Sequence, residues 1–179
     1  MIKHRLAIAA TAAAFALTPA VPAAAQNHHP SVASASANSV HYLQNYLSGR
    51  CVDVNGYSAD NYAVVLNWDC NGGTNQRWEF RPTGDGTHFY LVVAHSGKCL
   101  TVNAADGGTG QRVVQFQCVG ADTQMWRPVY QGNDTYQLIE KRSGKCFSLD
   151  TRGGLGNGAG YLSWPCEGGP NQLWKLLNV

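Results

Sequence analysis

From Val40 onward the apolar residues come in short runs, separated by clusters of Gly, Asn, Asp and Ser. Ala63-Val64-Val65-Leu66, Tyr90-Leu91-Val92-Val93 and Tyr136-Gln137-Leu138-Ile139 read as strands, because β-branched and aromatic residues suit a pleated, half-buried surface. Glycine-rich stretches such as Asp106-Gly107-Gly108 and Gly153-Gly154 read as the turns between them. No twelve-residue window after the first segment carries an apolar stripe of helical period. The pattern therefore predicts an all-β chain.

The same pattern repeats. Gln76-Arg77-Trp78, Gln124-Met125-Trp126 and Gln172-Leu173-Trp174 lie 48 residues apart, as do Cys70, Cys118 and Cys166. Ser48-Gly49-Arg50-Cys51 recurs as Ser96-Gly97-Lys98-Cys99 and as Ser143-Gly144-Lys145-Cys146. A fixed period of this length marks a repeat architecture. The Gln and Trp of each triplet are two positions apart, which predicts one shared strand face. Each repeat has room for about four short strands, or about twelve in all. A β-propeller also uses four-stranded units, but needs at least about four blades. The count of three repeats selects a β-trefoil, a six-stranded barrel capped by three hairpins. Its boundaries are expected at 40–179, with repeats at about 40–86, 87–132 and 133–179.

The residues before Val40 differ in kind. A basic start (Lys3-His4-Arg5), an apolar run from Leu6 to Leu17 broken only by Thr11, and Ala23-Ala24-Ala25 form a secretory signal over 1–25. Residues 26–39 are small and polar and read as a disordered leader, in which His28-His29 are solvated. Removing Lys3 and Arg5 brings the 13 basic residues level with the 11 acidic ones. A neutral mature chain disfavours nucleic acid as a partner. No further stretch is apolar enough to insert in a membrane, so an extracellular protein is expected.

All six cysteines lie in the repeats, two to each, at separations of 19, 19 and 20. An exported chain with an even count suggests disulfides, and the threefold repetition favours the bonds Cys51–Cys70, Cys99–Cys118 and Cys146–Cys166. Metal ligation is the rival, but no Cys-x-x-Cys occurs and no His clusters with the cysteines. No metal and no cofactor are expected.

No motif of a serine hydrolase, zinc protease or phosphate loop occurs, and Asp60, Asp69, Glu79 and Asp85 show no paired spacing. The repeats take about 140 residues and leave no expected second domain for catalysis, so the chain reads as a non-enzyme.

With three Gln-x-Trp triplets, three Ser-Gly-[Arg/Lys]-Cys segments and a second Cys per repeat, the chain from about Val40 to Val179 resembles the ricin-type β-trefoil lectins. These are also grouped as carbohydrate-binding modules of secreted bacterial glycosidases. The resemblance implies that Trp78, Trp126 and Trp174 form a common core. It implies that Gln76, Gln124 and Gln172 bond locally and floor a pocket. It also implies a sugar site in each repeat: an Asp two residues after the first Cys, an aromatic two before the second, and an Asn before the Gln. A carboxylate accepts two hydroxyls and an aromatic plate buries the C–H face of a sugar. The first repeat has all three in Asp53, Trp68 and Asn75. The second has Thr101, Phe116 and Thr123 instead. The third has Ser148, keeps Trp164 and Asn171, and offers Asp150 as a substitute carboxylate. The plant-toxin order of polar then apolar residues before the aromatic is reversed in Leu66-Asn67, Val114-Gln115 and Leu162-Ser163, which makes Asn67 the candidate polar ligand. The expected function is a secreted lectin-like module for galactose-type or plant or microbial polysaccharide sugars. The alternatives are a trefoil that contacts protein, as secreted protease inhibitors do, and a scaffold without ligand. Protein contact would call on Arg112 or Lys141-Arg142, which read more simply as solvated charges.

Overall fold

The computed structural model describes residues 38–103 and 108–179. The expected signal peptide, residues 26–37 of the expected leader with His28-His29, and Asp106-Gly107 of one expected turn lie outside the described residues. Asn38 and Ser39 exchange backbone hydrogen bonds with Phe80, so these two residues join the domain rather than the leader.

Twelve strands are described: β1 (Val40–Asn45), β2 (Cys51–Val54), β3 (Val65–Trp68), β4 (Arg77–Pro82), β5 (Phe89–Val93), β6 (Cys99–Val102), β7 (Gln111–Phe116), β8 (Met125–Gly132), β9 (Thr135–Glu140), β10 (Cys146–Leu149), β11 (Tyr161–Trp164) and β12 (Trp174–Asn178). Six close into a barrel, in which β1 pairs β4, β4 pairs β5, β5 pairs β8, β8 pairs β9, β9 pairs β12, and β12 returns to β1. The antiparallel pairs β2–β3, β6–β7 and β10–β11 form three hairpins. Single rungs tie them together, Val64 to Val114 and Leu66 to Gly160, and β11 pairs β7. Closure removes unpaired barrel edges. This is the β-trefoil that the repeat count selects.

Trp78, Trp126 and Trp174 are fully buried. Each indole N–H donates to a hairpin-strand carbonyl: Val52 at 3.0 Å, Leu100 at 2.9 Å and Phe147 at 3.2 Å. The barrel and its caps are thereby joined through the core. The third repeat carries larger core residues. Phe147 and Tyr161 stand where the first repeat has Val52 and Val65, and Phe147 stacks on Trp174 at 4.5 Å.

The Ser-Gly-[Arg/Lys]-Cys segment has a backbone reason. Gly49, Gly97 and Gly144 sit at φ of 68°, 68° and 67°, and each donates its N–H to the last residue of a barrel strand. Only glycine takes this left-handed conformation without a Cβ clash. The turn delivers the cysteine to the first hairpin strand, and the bonds Cys51–Cys70, Cys99–Cys118 and Cys146–Cys166 follow.

Two local expectations shift. The strand expected at Ala63–Leu66 runs instead over Val65–Trp68, because Ala63 and Val64 turn outward to the second repeat and Ala63 O accepts from Gln115 N–H at 3.0 Å. The Gln and Trp of each triplet do not share a strand. Gln76 closes a short 3-10 turn (Thr74–Gln76) whose N–H bonds Gly73 O, so the Gln amide turns to the hairpin while Trp78 enters the core.

Candidate functional site

The three hairpins each present a cleft built from equivalent positions. In the first, Asp53 on β2 and Trp68 at the end of β3 face a cleft of about 250 Å³, with Asn75 on the following 3-10 turn. Asp53 is only 5% exposed, whereas Trp68 is 39% exposed. Gln76 Nε2 donates to Asp53 Oδ2 at 2.8 Å and to Asp69 O at 2.9 Å, while its Oε1 accepts from Asn71 N–H. The glutamine thus orients the carboxylate and holds the loop that carries the second cysteine. Burial pushes the Asp53 carboxyl above the usual range, opposed by bonds from Gln76 and Asn75 and by the charge of His95.

Asn75 is also buried. Its Nδ2 donates to Val54 O at 3.0 Å, and its Oδ1 has no hydrogen-bond partner. This packing depends on Gly73. A Cβ there would lie 2.4 Å from Asn75 Oδ1 and 2.3 Å from the Tyr57 hydroxyl. The third repeat repeats the arrangement, since a Cβ on Gly169 would lie 2.7 Å from Asn171 Oδ1. The second repeat has Ala121 at this position together with Thr123. Glycine and asparagine therefore go together for a steric reason. Gly73→Ala is expected to displace Asn75 and weaken any ligand of the first cleft about tenfold, with about 1–3 kcal/mol of overpacking. Titration and thermal melting of the variant check this, and unchanged affinity would show that Asn75 placement is unimportant.

The second cleft, about 330 Å³, lacks a carboxylate. Thr101 Oγ1 donates to Cys99 O and accepts from Gln124 Nε2, so its hydroxyl is engaged internally. Tyr62 from the first repeat crosses over and lies 4.8 Å from Phe116, ring to ring.

The third cleft, about 300 Å³, brings together Ser148, Asp150, Trp164 and Asn171, as expected, with Arg152 and Glu167 added. Asn171 Nδ2 donates to Ser148 Oγ at 3.0 Å. Gln172 bonds Pro165 O and accepts from Glu167 and Gly168, so it has no bond to a carboxylate. Arg152 grips Asp150 with Nε on Oδ1 at 2.8 Å and Nη2 on Oδ2 at 2.9 Å, which holds the Asp150 carboxyl below the usual range. The third repeat thus offers a carboxylate already engaged by a guanidinium.

Asn67 is not brought to the cleft. It is fully buried, its Oδ1 accepting from Ser48 Oγ and Tyr161 OH at 3.0 Å each, and its Nδ2 donating to Leu155 O and Gly156 O. Gln115 does the same for the second repeat, bonding Ser58 O and Asp60 O and accepting from Ser96 Oγ. In the first two repeats the polar residue before the aromatic is thus a clamp on the loop of a neighbouring repeat, whereas the buried Ser163 hydroxyl of the third has no hydrogen-bond partner. Of the charges considered for protein contact, Lys141 pairs with Asp85 at 3.5 Å and Asp122 at 3.3 Å.

Sequence reasoning did not reach Tyr57, Asn55 and Asn71 in the first cleft, Arg152 and Glu167 in the third, or Tyr62 in the second. All but Glu167 and Asn71 come from the loop between the two strands of a hairpin. That loop's path is set by packing against other repeats rather than by local pattern.

Comparisons with known proteins follow the same lines. Among solved structures, the chain is similar to the designed threefold symmetric protein ThreeFoil at 34% identity and a TM-score of 0.74, covering 78% of this chain and 99% of that one. It is similar to an exo-beta-1,3-galactanase from Clostridium thermocellum at 29% identity and a TM-score of 0.75, covering 79% of this chain but only 30% of that enzyme. It shares the fold of a ricin B-like lectin of Macrolepiota procera, solved with lactose, at 19% identity and a TM-score of 0.69, covering 80% and 98%. Curated proteins gave no match. The sequence model of the ricin-type beta-trefoil lectin domain matches residues 39–176, and the chain belongs to that family.

Proposed function

We propose that the chain is a secreted, non-catalytic carbohydrate-binding module whose principal sugar contact is the cleft of the first repeat. Its ligands are sugars of the galactose type or of plant or microbial polysaccharides. The observation that carries this reading is a buried carboxylate, Asp53, set beside the half-exposed Trp68 in one open cleft. Gln76 takes Asp53 Oδ2, and a carboxylate has further lone pairs with which to accept a ligand hydroxyl. Trp68 offers a flat face for C–H groups, which removes apolar area from water without a deep pocket. Trp164 with Asn171 and Asp150 forms a secondary contact. The disulfide in every repeat suits an oxidising, extracellular setting.

Family membership supports a carbohydrate-binding role, and the M. procera lectin was solved with lactose. The galactanase similarity covers only 30% of that enzyme, which is in keeping with a binding module of this size beside other domains. A glycan array on the purified domain, followed by titration of a binding oligosaccharide against Trp68→Ala and Trp164→Ala, tests the reading. Trp68→Ala is expected to lower affinity about tenfold and Trp164→Ala less, since one aromatic contact is worth about 1 kcal/mol or somewhat more. No binding on a broad array, or unchanged affinity in the folded Trp68 variant, would refute it.

A further inference from the structure

Among the described residues, five non-glycine residues have positive φ. Asn38, Asn133 and Asp134 are of the type that tolerates this conformation. The others are Tyr57 at φ 56° and Tyr62 at φ 67°, and a bulky residue there is an outlier. Tyr57 follows Gly56 (φ 59°), and Ser58 N–H donates to Asn55 O at 3.1 Å. Two consecutive left-handed residues closed in this way form a type I′ turn, whose second central position favours glycine.

What the strained tyrosine gains is a place on the first cleft. Tyr57 is 53% exposed and lines the cleft that Trp68 lines. His95, from the β5–β6 turn of the second repeat, meets the ring edge-on at 5.9 Å and is itself held by Ser58 O at 2.9 Å. The ring is therefore braced from a neighbouring repeat. Its hydroxyl lies against Gly73, as does the buried and unpartnered Asn75 Oδ1. Strain retained beside an open cleft, with an orphaned acceptor nearby, points from geometry to use.

We infer that Tyr57 is a second aromatic wall of the first cleft and that it sets the stereochemistry of the sugar accepted there. This rests on the sugar-binding reading of that cleft. A pyranose held between Trp68 and Tyr57 presents both faces to aromatic rings. When all its ring hydroxyls are equatorial, both faces carry C–H groups. An axial hydroxyl makes one face polar and sets it against an aromatic wall that offers no matching partner. Of the two ligand classes proposed for it, the cleft therefore favours plant or microbial polysaccharide sugars of the all-equatorial glucose configuration over sugars of the galactose type.

The test uses methyl β-D-glucopyranoside and methyl β-D-galactopyranoside, which differ only at C4. Each is titrated into the intact protein, with the Trp68 indole N–H resonance as a reporter local to this cleft. Wild type should prefer the glucoside about 3–10-fold. Tyr57→Gly should lose that preference by weakening the glucoside, and Tyr57→Phe should keep most of it. Because Tyr57→Gly also relieves the turn, its melting temperature should hold or rise. An unchanged glucoside-to-galactoside ratio in Tyr57→Gly would overturn the inference. So would a fall in melting temperature of more than about 5 °C, which would mark the ring as structural. If Asp53→Ala abolishes binding while Tyr57→Gly changes nothing, the cleft is a sugar site and only the role of Tyr57 fails. If neither glycoside moves the Trp68 signal of wild type, the sugar-site reading falls and the inference falls with it.

Discussion

Asp53→Ala is expected to lower sugar affinity about 10–150-fold, the loss of a charged acceptor worth about 1.5–3 kcal/mol. The fold should survive, because Gln76 keeps its bonds to Asp69 O and Asn71 N–H. Asp53→Asn separates charge from shape. It keeps an oxygen for Gln76 and should lose most of the affinity while leaving stability at neutral pH unchanged or slightly higher. The sign follows from the carboxyl's raised pKa, whose main cause is burial. A folded-state value above the unfolded one favours the protonated form. Its contribution to stability is fullest below the unfolded value, near about 3.9, and is lost as pH rises through the folded value. Sugar binding runs the other way, since a ligand hydroxyl needs the ionised acceptor. Affinity should therefore fall on acidification at a pH above the usual aspartate range, and Asp53→Asn should flatten that profile. Calorimetric titration across pH measures both. A folded Asp53→Ala protein that binds as tightly as wild type would remove Asp53 from the site.

Asn67→Ala should act in the opposite sense, costing about 3–4 kcal/mol of stability, or roughly 10 °C in melting temperature, with little change in intrinsic sugar affinity. The amide joins four partners from the first and third repeats, and one of them is the fully buried Tyr161 hydroxyl. Removing a buried acceptor leaves such a hydroxyl unsatisfied, which is the expensive case. The cost should be spread over the loop 154–158, where Asn157 also bonds Arg50 and Asp69. Thermal melting and titration on the same sample distinguish the roles. An unchanged melting temperature with lost binding would make Asn67 a ligand contact.

Repetition in the sequence determined the barrel, the cysteine pairing and the buried tryptophans, because each is a short-range pattern copied three times around one axis. Asp53, Trp68 and Asn75 were legible only through the family resemblance, and they line one cleft because one hairpin and its following turn carry all three. What a position's neighbours across the repeats would be was not legible. Asn67 and Asp53 are both polar residues in hairpin strands, and nothing local tells the buried clamp from the cleft carboxylate. That difference comes from the loop 154–158, about 90 residues away in sequence, which supplies Leu155 O and Gly156 O to the one and not to the other. Asp150 likewise looked like a free carboxylate until the fold of its turn brought Arg152 onto both oxygens. Nothing in the sequence marked Tyr57, because a side chain's identity does not disclose a left-handed backbone. Local pattern fixes which residues enter a strand or a core, since burial is demanded wherever the repeat recurs. Only the tertiary structure decides which polar groups find partners across repeats and which are left facing a ligand.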